Sequence, residues 1–247
     1  MVISLNRNFD GTEIIYPCED GEPLAESYEH LQVLIATFYI LTAYLKGQQA
    51  VVLSDQFLYY VEGRPSARVA PDVMVIFNVA PGGRGNYKIW EEGEVPSVIF
   101  EMTSESTRER DWGFKKNLYE QLGVQEYWLF DPKGEWISEQ LQGYRLDAEG
   151  VYRRIQDRYS QVLQLRLVVE GELIGFYRQD TNERLWPPNE FSAALDQEKQ
   201  RADQEKQRAD QEKQRADQEK QRADQEKQRA DQLAERLRSL GIDPGEL

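Results

Sequence analysis

The chain of 247 residues has one cysteine, Cys18, and one histidine, His30. A single cysteine excludes a disulfide within the chain and argues against a Cys-based zinc site. A single histidine removes most histidine-based catalysis and any centre with several His ligands. The longest near-apolar run, "VLIATFYILTAYL" at 33–45, has 13 residues. That is too short to span a bilayer and suits a core helix. The start, "MVISLNRNFDG", lacks the basic and then apolar stretch of a secretory signal. These absences lead to the expectation of a soluble, cytoplasmic protein with no membrane contact. Positive charge is also scarce: 30 Lys and Arg against 44 Asp and Glu give a net charge of −14. Such a chain is not built for broad adhesion to nucleic acid or anionic lipid, so any nucleic-acid contact needs a local basic patch or a bound cation.

What is present falls into two parts, expected as a globular domain over 1–190 and a charged heptad tail over 191–247. From Asp196 the sequence reads "DQEKQRA" five times without change, through Ala230. The repeats carry no net charge and 231–247 carry −2, so residues 1–195 hold −12. The heptads contain no Gly, Pro or β-branched residue, and their acids and bases recur at i,i+3 and i,i+4, which predicts a helix. With Ala at position a, Glu falls at d, a poor coiled-coil seam. The register nonetheless runs into Phe191 and Leu195 before the repeats and into Leu233, Leu237 and Leu240 after them. This long C-terminal helix has two readings: a solvated single helix, or a weak coiled coil pinned at its Leu end that contributes to a homodimer.

The globular part reads as α/β. Residues 27–47 predict a helix with Ser27 as N-cap, Gly47 as stop, and Leu31, Leu34, Ile35, Phe38, Leu41 and Leu45 near helical spacing. Residues 50–61, 72–80, 97–102 and 124–131 read as strands, 111–123 as a helix closed by Gly123, and 135–180 as several antiparallel strands. The intervening 81–96 reads as loop or irregular structure.

Within "PSVIFEMTSEST" at 96–107, the carboxylate of Glu101 ends an otherwise apolar strand. Burying it unpaired costs several kcal/mol or forces a proton onto it. Asp72 begins the preceding apolar strand. If the two strands pair antiparallel, both acids sit at one edge of the sheet, and a divalent cation, Mg²⁺ or Mn²⁺, relieves their repulsion. The segment 97–131 reads as a βαβ crossover whose helix starts near Glu101. On that helix Asp111, Lys115 and Tyr119 recur at i,i+4,i+8 and share a face, so Lys115 can assist a nucleophilic water or stabilise developing negative charge. Each residue also has an ordinary role open to it. Asp72 suits a turn, Lys115 a solvated helix face, Ser104, Ser106 and Thr107 caps, Tyr119 and Trp128 the core, and His30 a hydrogen-bonded core position.

Together these motifs resemble the Uma2 family of restriction-endonuclease-like proteins: Pro71-Asp72; Glu101, Ser104, Ser106 and Thr107; Asp111, Lys115 and Tyr119; Gly123, Val124, Glu126, Tyr127, Trp128 and Asp131. The resemblance spans about 20–185 and takes in the helix of His30. It implies a PD-(D/E)xK nuclease-like core, a mixed sheet flanked by helices, with Asp72 and Glu101 as metal ligands. In that superfamily a lysine usually follows the acid by two residues, but position 103 is Thr. The family pattern nominates Lys115 as the catalytic lysine, with Lys116 as the alternative. Two functions are expected. One is a metal-dependent endonuclease acting on DNA, with Arg108, Arg110, Lys115, Lys116, Arg153, Arg154 and Arg158 as local positive charge. The other is a non-catalytic interaction module on the same fold, with the tail for assembly.

Overall fold

The computed structural model describes residues 14–19, 27–105, 107–187 and 229. Met1–Pro188 and Asn189–Leu247 form separate compact units. The expected helical rod, its Leu-rich seam and the boundary at 190 lie outside the described residues, as does Ser106.

In the first unit a six-stranded mixed sheet takes the order β1-β4-β6-β7-β8-β9. The strands are β1 (Ala50–Ser54), β4 (Val73–Phe77), β6 (Val98–Met102), β7 (Glu126–Phe130), β8 (Leu141–Leu146) and β9 (Tyr152–Ile155). Only β6 and β7 run parallel; the other neighbours are antiparallel. The helical crossover between β6 and β7 makes that one parallel pair possible, since parallel neighbours need a long connection between them. A second antiparallel sheet joins β10 (Tyr159–Ser160), β11 (Leu165–Glu170), β12 (Leu173–Arg178) and β13 (Arg184–Leu185). A third, small sheet takes β2 (Leu58–Tyr59), flanked by β3 (Arg68–Val69) and β5 (Tyr87–Lys88). The expected strand over 50–61 is thus two strands. Asp55 breaks it at φ 50°, where its N–H turns to the carbonyls of Pro71 and Asp72. The segment expected to be irregular over 81–96 contains β5 and the single-turn helix α2 (Ile89–Glu92).

The central strands are buried on both faces, which explains their nearly continuous apolar runs. On one face Val73, Val75, Phe100 and Trp128 pack with Val33, Ile40 and Leu41 of α1 (Tyr28–Tyr44) and with Leu165, Leu167 and Phe176 of the second sheet. On the other, Met74, Ile76, Ile99 and Leu129 pack with Leu118 and Tyr119. Trp128 needs Gly143 opposite it on β8. A Cβ there would meet the indole ring at 2.4 Å, well inside contact distance.

Ser27 caps α1, its hydroxyl accepting from the His30 N–H at 3.2 Å. The buried face of α1 differs from the expected one. His30, Val33, Thr37, Ile40 and Leu41 are buried, whereas Leu31 and Ile35 are 45% and 41% exposed. Leu41 and Leu45 are buried as expected, and Leu34 and Phe38 lie at the margin of the core. The helix is apolar on nearly every side, so its periodicity cannot select a face; packing against the sheet does.

Candidate active site

The positions of Asp72 and Glu101 follow from strand register. Val73 of β4 opposes Phe100 of β6, and one step further along the same antiparallel ladder come Asp72 and Glu101. Alternation puts both acids on the sheet face that carries Met74, Ile76 and Ile99, the face covered by the crossover helix. Glu101 is wholly buried, with 0% exposure. Asp72 is only partly buried, and its Oδ2 accepts from the Met102 N–H at 2.6 Å.

The crossover is one helical stretch in three pieces: α3 (Arg108–Arg110), a π-turn (Asp111–Lys115) and α4 (Lys116–Leu122), closed by Gly123 at φ 85°. In the π-turn the Lys116 N–H reaches back five residues to the Asp111 carbonyl. Such wide turns recur at functional sites because they re-aim the side chains they carry. Here they are Asp111 and Lys115, both buried. The Lys115 ammonium donates to Glu101 Oε2 at 2.8 Å and lies 3.0 Å from Asp111 Oδ1. The Tyr119 hydroxyl, one turn on, donates to Glu101 Oε1 at 2.8 Å. Thr103, which replaces the expected lysine, donates to Asp111 Oδ2 at 3.2 Å. Tyr127 of β7 donates its hydroxyl to the Asp111 carbonyl at 3.0 Å and so ties the π-turn to the sheet.

The charge balance of this cluster is set by burial. Desolvation pushes the Glu101 carboxyl up from its ordinary 4.5; Lys115 pulls it back, and Asp72 and Asp111 push it further up. Burial alone would lower Lys115, but the three carboxylates hold the ammonium above its usual range. Tyr119 and Tyr127 are raised, first by burial and then by Glu101, so both keep their protons and act as donors.

His30 Nε2, at the first turn of α1, lies 3.6 Å from Asp72 Oδ2. His30, Thr103, Ser104 and Trp136 are among the residues that line a cavity of about 480 Å³, and the Arg108 guanidinium lies 4.2 Å over the Trp136 ring. Of the two candidate lysines, Lys115 reaches the acids, and Lys116 instead sits 4.4 Å over the Tyr144 ring. Lys116 is half-buried rather than solvated.

Residues 7–174 match the model of the Uma2 family, described as "Putative restriction endonuclease". The chain belongs to the Uma2 family. No curated protein matches it, but four chains of solved structures do. One of them, from Anabaena variabilis ATCC 29413, is described as "a putative nuclease belonging to DUF820". It shares 15% sequence identity over 62% of this chain and 79% of its own, with a TM-score of 0.42.

The Uma2 motifs divide by task. Asp72, Glu101, Asp111, Lys115 and Tyr119 form the cluster, whereas Glu126, Trp128 and Asp131 support the fold. Glu126 is buried and held by Arg145 Nε at 3.0 Å, the Gln161 N–H at 2.8 Å and the Ser160 hydroxyl. Asp131 accepts from four backbone N–H groups, those of Lys133, Gly134, Trp136 and Ile137, and fixes the loop that carries Trp136. Arg153, expected as local positive charge, pairs with Asp147 at 2.8 Å. Arg154 and Arg158 both pair with Glu139, at 3.2 and 3.9 Å.

The donor chemistry of Asp72 and Glu101 fits a hard divalent cation held by two carboxylates with water completing its shell. Burial first, and then the neighbouring Asp72 and Asp111, disfavour the charged form of Glu101, and a nearby positive charge favours it. Among the described residues no group of three or more His, Cys, Asp or Glu side chains is placed to hold a metal ion. No helix among them is long and apolar enough to cross a membrane.

Two members of the cluster, Asp111 and Tyr119, and its neighbour His30 are absent from the catalytic set expected from sequence. Asp111 and Tyr119 are signalled by their i,i+4,i+8 spacing with Lys115 and by the family motif, and His30 has no sequence signal beyond its family position.

Proposed function

We propose that this protein is a metal-dependent nuclease of the PD-(D/E)xK type that hydrolyses phosphodiester bonds in DNA. Asp72 and Glu101 hold a Mg²⁺ or Mn²⁺ ion, and Lys115 is the catalytic lysine. The observation that carries the proposal is the Lys115 ammonium, buried between Glu101 and Asp111 on the strand and helix that a nuclease would use. The family's printed description supports the reaction class. When bound, a divalent cation supplies Lewis-acid stabilisation of the phosphoryl oxygens and lowers the pKa of attacking water.

The chain's own residues prepare the site for that chemistry. The Met102 N–H fixes the Asp72 carboxylate, and Tyr119 and Lys115 fix the two oxygens of Glu101. Lys115 stays protonated and offers its positive charge to the pentavalent phosphoryl group, where negative charge grows. Because the ammonium is held by two carboxylates before substrate arrives, little reorganisation accompanies the reaction. Burial on both faces of the sheet keeps the dielectric low, which strengthens each of these interactions.

Cleavage of supercoiled plasmid DNA in Mg²⁺ or Mn²⁺ tests the proposal. Wild-type protein should cut, Glu101→Gln and Lys115→Met should lose at least about a hundredfold in rate, and Lys116→Met should retain most of it. A folded wild-type protein that cuts no DNA with either metal would leave the non-catalytic interaction module as the better reading.

A further inference from the structure

Two cavities border the acid cluster, and their charges are opposite. The larger, beside His30 and Thr103, is lined by Glu29, Glu105, Asp131 and Glu135, with Lys133 as its cation; Lys133 lies 3.6 Å from Glu29. The smaller, of about 260 Å³, lies on the Lys115 side and is lined by Phe57, Arg68, Arg110 and Lys115 together with Val69 and Ala70. Its wall holds no carboxylate among the described residues. Among the described residues no carboxylate pairs with Arg68 or Arg110, whereas Arg153, Arg154 and Arg158 are all paired. In a chain of net charge −14, two guanidiniums that pair with no carboxylate among the described residues form a local concentration of positive charge.

The chain connects this cavity directly to the cluster. Arg68 lies on β3, four residues before Asp72, and Arg110 immediately precedes Asp111. Arg68 is held in place: its guanidinium stacks 4.3 Å over the Phe57 ring, and Nη1 donates to the Pro65 carbonyl at 3.2 Å. A guanidinium stacked on an aromatic face presents its N–H fork in the ring-parallel plane, the geometry that meets an oxyanion in two-point fashion. Lys115 contributes to both the cavity wall and the acid cluster, so a phosphate group in the cavity lies next to the catalytic lysine.

We infer that Arg68 and Arg110 form a phosphodiester-binding subsite, and that the nucleic-acid backbone reaches the acid cluster from this side and not through the acid-lined cavity. This rests on the reading of the protein as a nuclease. Phe57 serves as the brace of Arg68. Arg68 and Arg110 bind the backbone of the substrate, and Lys115 remains the residue of the reaction itself.

The test is equilibrium binding in EDTA, where cleavage does not occur, of a fluorescein-labelled 20-base-pair DNA duplex by fluorescence anisotropy at several salt concentrations. Arg68→Gln and Arg110→Gln should each bind about tenfold more weakly, as removal of one charge-assisted hydrogen bond requires, and each should reduce the salt slope by about 0.9 for every phosphate no longer neutralised. Arg110 is exposed on α3, so Arg110→Gln keeps the test decisive should Arg68→Gln unfold. Arg153→Gln, on the paired β9 surface, should bind as wild type. Wild-type affinity and slope in Arg110→Gln, a larger loss in Arg153→Gln than in Arg110→Gln, or a wild-type protein that does not bind the duplex overturns the subsite. Binding through this subsite by a protein that cuts nothing upholds it while removing the nuclease reading. Plasmid cleavage with unchanged binding in both variants does the reverse.

Discussion

The Lys115 ammonium lies 2.8 Å from a carboxylate oxygen of Glu101, and the carboxylate is wholly buried. A pair of this kind is not a stability device in itself, since desolvation offsets much of its Coulomb energy. On the proposed reading, its value lies in holding a charged group ready inside the sheet. The effect of breaking it depends on which partner is removed.

Lys115→Met leaves the Glu101 charge without its cation. At about pH 8 the variant should lose on the order of 3 kcal/mol of unfolding free energy, the usual cost of orphaning one member of a buried pair. At about pH 5 the loss should be smaller, because Glu101 can then take up a proton. Lys116→Met should lose no more than about 1 kcal/mol, the worth of its seat over Tyr144. Urea denaturation of both variants at the two pH values measures this. Equal losses for the two lysines would contradict the assignment.

The elevation of Glu101 fixes the sign of a pH effect in the metal-free protein. Its folded pKa is raised above 4.5. Between that value and the raised one, the folded chain holds a proton that the unfolded chain has released. Stability is therefore full at the acidic end of the window and declines as pH rises through it. Glu92 is displaced the other way, its carboxyl held low by Arg84, and its contribution is lost only below the ordinary carboxylate range. In EDTA the urea midpoint of the wild type should fall between about pH 5 and about pH 8, and Glu101→Gln should abolish most of that fall. A midpoint that moves identically in both proteins would show that Glu101 is not the titrating group.

Tyr119→Phe removes the donor to Glu101 Oε1 and changes little else in shape. A buried acceptor left without its donor costs about 1–3 kcal/mol. The same loss should steepen the pH dependence, because the charged form of Glu101 then has one fewer hydrogen bond. A variant with wild-type stability and an unchanged pH profile would place the hydroxyl outside the network.

Much of this arrangement is legible in the sequence, for physical reasons. Strands with apolar residues at nearly every position must be central, and a carboxylate at the end of one must find a partner. Antiparallel pairing of β4 and β6 then puts Asp72 beside Glu101, and the helix that follows β6 must return over the same end of the sheet. Helical spacing separates Lys115 from Lys116 without any structure. The remainder is tertiary. A helix apolar on all sides, like α1, gives no sign of which face it buries. The π-turn leaves no mark in residue spacing, since Asp111 and Lys115 would share a face in an α-helix too. Tyr119 reads as core because it is core; only its hydroxyl reaches the acid. The arginines of 153–158 read as a basic patch because their acids, Asp147 and Glu139, come from other loops. Arg68 carries no motif and becomes notable only when the fold sets it beside Arg110 and Lys115.

The most direct test of a metal-dependent site at Asp72 and Glu101 is anomalous diffraction from crystals of the wild-type protein grown with Mn²⁺. An anomalous peak is expected between the two carboxylates, and it should be absent from crystals of Glu101→Gln. A peak elsewhere with none between these acids, or one that persists unchanged in Glu101→Gln, would contradict the assignment.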